Sequence, residues 1–174
     1  HWIGGMGVLV FILCLLPLTG GYHMNLMKAE SPGPSVSKLV PKVQSTAKIL
    51  YTIYIILTIV EIIFLLIGKM PLFDTLCLSF GTAGTGGFGV KNDSIASHST
   101  YNQVVITVFM ILFGINFNAY YLLLTKKVMQ AAKNEEVRYY LGIIGLAIVA
   151  IAINTREMFT SFGSAFQQAA FQVG

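Results

Sequence analysis

Long apolar runs separated by short polar breaks dominate this chain, and their lengths predict its elements. Ala47 to Ile67 is apolar throughout apart from a few scattered polar side chains, and 21 residues of helix at about 1.5 Å each cover a hydrocarbon core of roughly 30 Å. Tyr101 to Thr125 is a second run of that length, and a third opens at Tyr139 and runs to Ile153 or Asn154. Trp2 to Leu18 is apolar but short for a full span, stopped by Pro17 and the Gly20-Gly21 pair. Two further apolar stretches, Leu72 to Phe80 and the amphipathic Met158 to Gly174, are too short to cross and predict re-entrant helices.

The polar breaks sort themselves by composition. Tyr22 to Ser45 carries Ser31-Pro32-Gly33-Pro34 and Pro41 with Lys28, Lys38 and Lys42, too proline-rich for one helix. Ser45 or Thr46 suits the cap of the helix that follows. Gly68-Lys69-Met70-Pro71 breaks that helix; Pro71 suits a first helical turn and Asp74 the positive N-terminal end. Lys91 to Ser99 reads as an exit turn, and Thr155-Arg156-Glu157 ends the third span.

Between the short helix and the second span lies Gly81-Thr82-Ala83-Gly84-Thr85-Gly86-Gly87-Phe88-Gly89, with five glycines in nine residues. Irregular backbone survives at membrane depth only where protein encloses it or water reaches it. Thr85-Gly86-Gly87-Phe88-Gly89 follows the Thr-x-Gly-aromatic-Gly order of a potassium filter, where backbone carbonyls replace the hydration shell of the ion. The metal ion expected here is K+, held by the backbone at Thr85, Gly86 and Gly87, with Phe88 as a wedge that fixes the loop against neighbouring helices. Gly84-x-Gly86-x-x-Gly89 also satisfies GxGxxG, but no strand precedes it and no acid follows about 20 residues on. Val90 stands where a phosphate-binding loop needs lysine.

Composition agrees with a membrane reading. Of 174 residues, 55% are hydrophobic and 10% charged, against about a quarter charged in globular chains. The mean hydropathy is +0.74. The net charge of +4 is a topology signal, because the bases sit beside apolar runs. Lys28, Lys38, Lys42, Lys48, Lys126, Lys127, Lys133 and Arg138 share one side; Lys69, Lys91 and Arg156 share the other, which makes the first side cytoplasmic. Cys14 and Cys77 lack metal-ligand spacing and read as buried thiols. His1, His23 and His98 are scattered, and with no acid–base or nucleophile cluster no enzyme is expected.

Three polar side chains inside the spans are candidates for a role. Glu61 is either a cation-attracting or helix-tethering carboxylate, or an interfacial one that reaches the headgroups. Asn116 and Asn118 suit hydrogen bonds between helices more than contact with an ion.

The resulting order of span, short helix, glycine loop and span is complete once. It predicts an all-α integral membrane protein of repeated helix–pore loop–helix units of potassium-channel type. Residues 1–19 are expected to close a first unit and 20–46 to form a cytoplasmic linker. Residues 47–125 form the second unit, with helices at 47–67 and 101–125, a pore helix at 71–82 and the filter at 83–90. Residues 126–138 form a cytoplasmic loop, and 139–174 begin a third unit cut before its filter, so a fragment of a longer protein is expected.

Several separated motifs resemble the TrkH/KtrB superfamily of potassium transporters, TrkH more than KtrB. His1-Trp2-Ile3-Gly4-Gly5-Met6-Gly7 is similar to the start of the second membrane helix in that family's first pore unit. Ala29-Glu30-Ser31-Pro32-Gly33-Pro34 with Thr46-Ala47-Lys48 resembles its cytoplasmic linker. Gly86-Gly87-Phe88 resembles the second filter, with Gly87 as the key glycine, and Gly114-Ile115-Asn116-Phe117 the helix that closes that unit. The resemblance implies a potassium uptake pore in a bacterial inner membrane, built from four units around one path with the filter loop outside. It also implies a homodimer above a cytosolic nucleotide-binding regulatory ring of TrkA/KtrA type, no cofactor beyond potassium as substrate, and no nucleic acid. Gly86 stands where a potassium channel has valine, so a K+/Na+ symporter or a less selective cation channel is the alternative.

Overall fold

The computed structural model describes residues 1–8, 10–11, 43–124, 129, 134–158 and 161–174. Most of the proline-rich linker, Cys14 and Lys126 to Lys133 apart from Met129 therefore lie outside the described residues, as do six of the eight bases expected on the cytoplasmic side. The helices are α1 (Trp2–Gly5), α2 (Val43–Ile67), α3 (Leu72–Ala83), α4 (Thr100–Gly114), α5 (Phe117–Leu124), α6 (Glu135–Thr155) and α7 (Phe162–Val173). A 3-10 turn at Arg156–Met158 joins the last two, and among the described residues there is no strand, only an isolated bridge between Lys91 and Ser94. By length and composition α2 and α6 suffice to cross a membrane.

α2 is the axis. It packs against α3, α4 and α5, while α7 joins α6 to α4. Tyr54 is fully buried at the centre, with Phe113 and Phe117 edge-on to it at 5.6 and 5.9 Å and Trp2 tilted over it at 5.4 Å. Met6, Val10 and Leu50 are buried in the same core. Ile56, Ile59 and Ile63 on α2 and Ile143, Leu146 and Ile153 on α6 face outward. Such helices fit an apolar solvent or further protein, not water.

Four expected elements need correction. α2 is already helical at Val43, so Ser45 and Thr46 lie inside its first turn and do not cap it. α6 opens four residues before Tyr139 because Asn134 Oδ1 accepts from the Glu136 amide at 3.1 Å, and Glu135 and Glu136 suit the N-terminal dipole. The first segment is not one helix: α1 ends at Gly5, Gly7 turns left-handed at φ 99°, and helix resumes with the Phe11 amide bonded to Gly7 O at 3.1 Å.

The fourth is the expected 101–125 helix, which is two. It breaks at Ile115, whose ψ of 137° is extended, and restarts at Phe117. Side chains take the place of the missing helical bonds. Tyr120 Oη donates to Leu112 O at 2.7 Å, and Tyr140 Oη reaches across from α6 to Ile111 O at 3.1 Å. A Cβ at Gly114 would collide with that Tyr140 hydroxyl, so the glycine is what admits it. Tyr140→Phe, which keeps the ring and leaves the Ile111 carbonyl short of a donor, is expected to destabilise the protein by about 1 kcal/mol. A fall in thermal unfolding temperature in detergent measures it; an unchanged temperature would mean the break needs no donor from α6.

Turns complete the frame. Lys69, at φ 57°, reverses the chain after α2, and Asn102 Nδ2 donates to Gly68 O at 3.2 Å, tying the start of α4 to the end of α2. Ser99 Oγ caps α4 by accepting from the Asn102 amide at 3.3 Å. α2 and α4 are thereby antiparallel, with α3 and the glycine loop slung between them.

Candidate functional site

α3 leads straight into the glycine loop, whose Thr85, Gly87 and Phe88 are exposed. Its first turn carries Asp74, whose carboxylate stands 3.8 Å from His98 Nε2 of the exit turn, both side chains largely buried. At the other end three successive amides fold back on the helix: Gly84 N to Phe80 O at 3.1 Å, Thr85 N to Thr82 O at 3.1 Å and Gly86 N to Gly81 O at 2.8 Å. The N–H groups of the loop are thus spent on the helix they leave, and the carbonyls that follow are free of it.

Handedness does the rest. Thr85 sits at φ 51° and Gly87 at φ 69°, while Gly86 between them is not left-handed. Reversals of twist at neighbouring residues turn successive N–H groups to one side and carbonyls to the other. For Thr85 this conformation costs about 1–2 kcal/mol, offset in part by its hydroxyl, which donates to Gly84 O at 2.8 Å. Strain of this size persists where the surroundings over-determine the backbone, as at ligand clamps.

The remaining loop residues are held by contact. The Phe88 ring is 55% exposed and folds back over Gly86, where a Cβ would lie 2.5 Å from it, and meets the His1 ring edge-on at 5.2 Å. It also lies 3.8 Å from where a Cβ at Gly81 would stand, so the ring packs on α3 as well as on its own loop and the N-terminal segment. Gly89 lies against Ser94, whose Cα would be 2.6 Å from an added Cβ, so the exit turn closes directly on the loop.

Behind the loop, α1 abuts the C-terminal end of α3. Tyr54 Oη lies 2.8 Å from Trp2 O and 2.9 Å from Ala83 O, one phenolic proton between two carbonyls. Tyr51 Oη donates to Ile3 O at 2.9 Å and Trp2 Nε1 to Thr58 Oγ1 at 3.1 Å. A Cβ at Gly5 would lie 2.6 Å from Ala83 O, and one at Gly84 2.7 Å from the carbonyl carbon of His1. In front, a cavity of about 380 Å³ is lined by Thr85, Gly86, Gly87, Phe88, Gln172 and Gly174, so the C-terminal end of α7 stands beside the loop.

The sequence profile of the TrkH cation transport proteins matches residues 1–151. The chain belongs to the TrkH family. It is 32% identical to the Trk system potassium uptake protein TrkH of Salmonella typhimurium, over 99% of this chain and 37% of that protein. Against the protein of that name from Vibrio parahaemolyticus the identity is 34%, over 99% and 37%. The crystal structure of the potassium transporter TrkH from Vibrio parahaemolyticus superposes with a TM-score of 0.75 at 27% identity, over 99% of this chain and 35% of that one. The chain thus spans a little over a third of the length of these relatives.

Within the TrkH family fold, the other three side chains singled out in the sequence separate. Glu61 is fully buried and does not reach a headgroup region; neither of its oxygens has a hydrogen-bond partner among the described residues. The Thr82 side chain faces it, but the Thr82 hydroxyl donates to Leu78 O at 2.8 Å. Asn116 does tether, because its Nδ2 donates to the Glu136 carboxylate in the first turn of α6. The side chain of Asn118 lies outside the described residues.

Sequence reading missed Tyr54 and Gln103. A signal for the first was present: Tyr51, Tyr54, Thr58 and Glu61 recur at helical spacing and mark one polar stripe on an otherwise apolar span. Gln103 carries no such mark.

Proposed function

We propose that this chain is part of a membrane pore for potassium uptake, in which the backbone carbonyls of Thr85, Gly86 and Gly87 coordinate dehydrated K+ and Phe88 and Gly89 fix the ends of the loop. One observation carries the reading. The loop amides of Gly84, Thr85 and Gly86 are bonded back to α3, and left-handed Thr85 and Gly87 flank Gly86, so carbonyls are left for a cation. The names of the relatives, Trk system potassium uptake proteins, support the choice of cation. The C-terminal ends of α3 and α7 both approach the cavity, and their partial negative charge favours a positive ion.

In the same reading, residues 47–125 are one complete pore unit, with a closing segment of another before it and the start of a third at α6 and α7. Both α2–α3 and α6–α7 are a long helix followed by a short one, which supports a repeat. The whole protein surrounds its path with several units in a bacterial inner membrane, as a homodimer above a cytosolic nucleotide-binding ring. The linker 20–46 and loop 126–138 face the cytoplasm and the filter faces outward. Lys48 near the start of α2 and Arg138 near the start of α6 lie at one end of the antiparallel bundle, and Lys69 and Lys91 at the other, which fits that orientation. The second reading, a K+/Na+ symporter or a less selective cation channel, draws on Gly86, which has no side chain to brace the filter from behind.

Rubidium and sodium uptake by the full-length protein, in cells lacking other potassium uptake, tests the proposal. Nothing lies within 4 Å of a Cβ at Gly87, so serine fits there in space and acts only through the left-handed backbone. A strain of 1–2 kcal/mol is relieved by moving the carbonyls, and discrimination of rubidium over sodium in Gly87→Ser is expected to fall about tenfold. Unchanged discrimination in a stably expressed variant would remove this loop as the filter.

A further inference from the structure

Gln103 stands one turn inside α4 and is half-buried. Its amide nitrogen lies 3.0 Å from His98 O, 3.3 Å from Ile95 O and 3.4 Å from Ala96 O. All three are acceptors, so the side-chain nitrogen must face them and Oε1 must face the other way. On that other side is α7, where Gln167 Nε2 donates to Gln103 Oε1 at 3.1 Å. A single side chain thus gathers the exit turn that follows the glycine loop and grips the short helix of the next unit, 64 residues along the chain.

The grip bears on the loop through geometry. Gln167 lies seven residues from Gly174, two helical turns or about 10 Å along a rigid rod. Phe171, Gln172 and Gly174 at the end of that rod line the cavity that Thr85, Gly86, Gly87 and Phe88 line from the other side. α7 follows α4 over the same distance, for a Cβ at Gly174 would lie 3.4 Å from the Ile111 side chain and 3.5 Å from Thr107 O. Besides this amide pair, Gly174 stands beside the Ile111 side chain and Thr107 O, and Phe171 packs against the core that α4 helps to form. A directional bond at one point sets the register.

We propose that Gln103 and Gln167 are positioning residues for ion selection, and that their amide bridge sets where the C-terminal end of α7 stands beside the glycine loop. The inference rests on the reading of that loop as the filter. Gln167→Leu is the sharper variant, because it removes the bridge and leaves the grip of Gln103 on the exit turn intact. The measurement is the ratio of rubidium to sodium uptake by the full-length protein, normalised to protein in the membrane, with Gly87→Ser measured alongside.

Gln167→Leu is expected to lower the ratio about threefold to tenfold, the range one interhelical hydrogen bond supports. Gln103→Leu with Gln167→Leu is expected to lower it no further than the more severe single change, since both remove the same bond. Should Gln167→Leu fail to accumulate, Gln167→Met keeps an unbranched side chain of similar length and serves in its place. A ratio that moves in Gly87→Ser but stays at the wild-type value in the Gln167 variants overturns the inference and leaves the filter reading intact. A ratio unmoved in Gly87→Ser removes the filter reading, and this inference with it.

Discussion

Gly5→Ala is expected to reduce rubidium uptake about a hundredfold, while Gly4→Ala one residue away leaves it near wild type. The two glycines are alike in sequence and opposite in surroundings. Nothing lies within 4 Å of a Cβ at Gly4. A Cβ at Gly5 would lie 2.5 Å from Tyr54 Oη, 2.6 Å from Ala83 O and 2.9 Å from the Cα of Gly84. Two of those three neighbours are backbone at the end of α3, and they cannot swing aside as a side-chain tip does. Overpacking of this kind costs about 1–3 kcal/mol, and the upper end applies where backbone must move. At 1.4 kcal/mol per factor of ten, strain of that size shifts the balance from the undisplaced to a displaced end of α3 about a hundredfold. The displacement also falls on the residues that launch the glycine loop, so the protein that does fold should conduct poorly. Rubidium uptake normalised to membrane protein checks it, and equal uptake in the two variants would mean α1 does not press on α3.

The second large effect is expected at Tyr54. Tyr54→Ala should destabilise the protein by about 3–5 kcal/mol, as removal of a large buried ring does, because the side chain is fully buried among Trp2, Tyr51, Phe113 and Phe117. Tyr54→Phe separates the hydroxyl from the ring. It keeps the four aromatic contacts and withdraws the one proton shared by Trp2 O and Ala83 O, at a cost of about 1–3 kcal/mol. Thermal unfolding in detergent should rank wild type above Tyr54→Phe and Tyr54→Phe above Tyr54→Ala. If Tyr54→Phe matches wild type, the hydroxyl does not hold α1 to the end of α3.

Much of this arrangement was legible in the order of residues, for a physical reason. The period of a helix and the thickness of a hydrocarbon core are fixed lengths, so the runs ending at Ile67 and opening near Tyr139 announce themselves. Pro71 with Asp74 marks the start of α3, and five glycines in nine residues mark backbone that needs conformations other residues avoid. The loop itself, with its left-handed Gly87, belongs to that local class of information. Local signals also misled. Ser45 and Thr46 look like caps, yet the helix already runs from Val43 through them; capping is a preference of at most about 2 kcal/mol and does not fix a helix start by itself.

What needed the tertiary structure were facts about neighbours distant in the chain. The run from Tyr101 to Thr125 has the length of a span, and only Tyr140, arriving from the next helix at Ile111 O, shows why it breaks after Gly114. Glu61 reads equally as interfacial or buried until α2 is packed, and packing alone encloses it. Gly4 and Gly5 are indistinguishable until Ala83 is brought against one of them. Gln103 is an ordinary polar residue near a helix start until Gln167 meets it 64 residues later. By itself the sequence determined which segments are helical and apolar, where the backbone must be glycine-rich, and the family to which these motifs belong, because each is encoded within a few turns of chain. Only the tertiary structure decided which of those glycines are pressed, which helix is broken and which polar groups hold the loop, because each depends on an atom supplied by another segment.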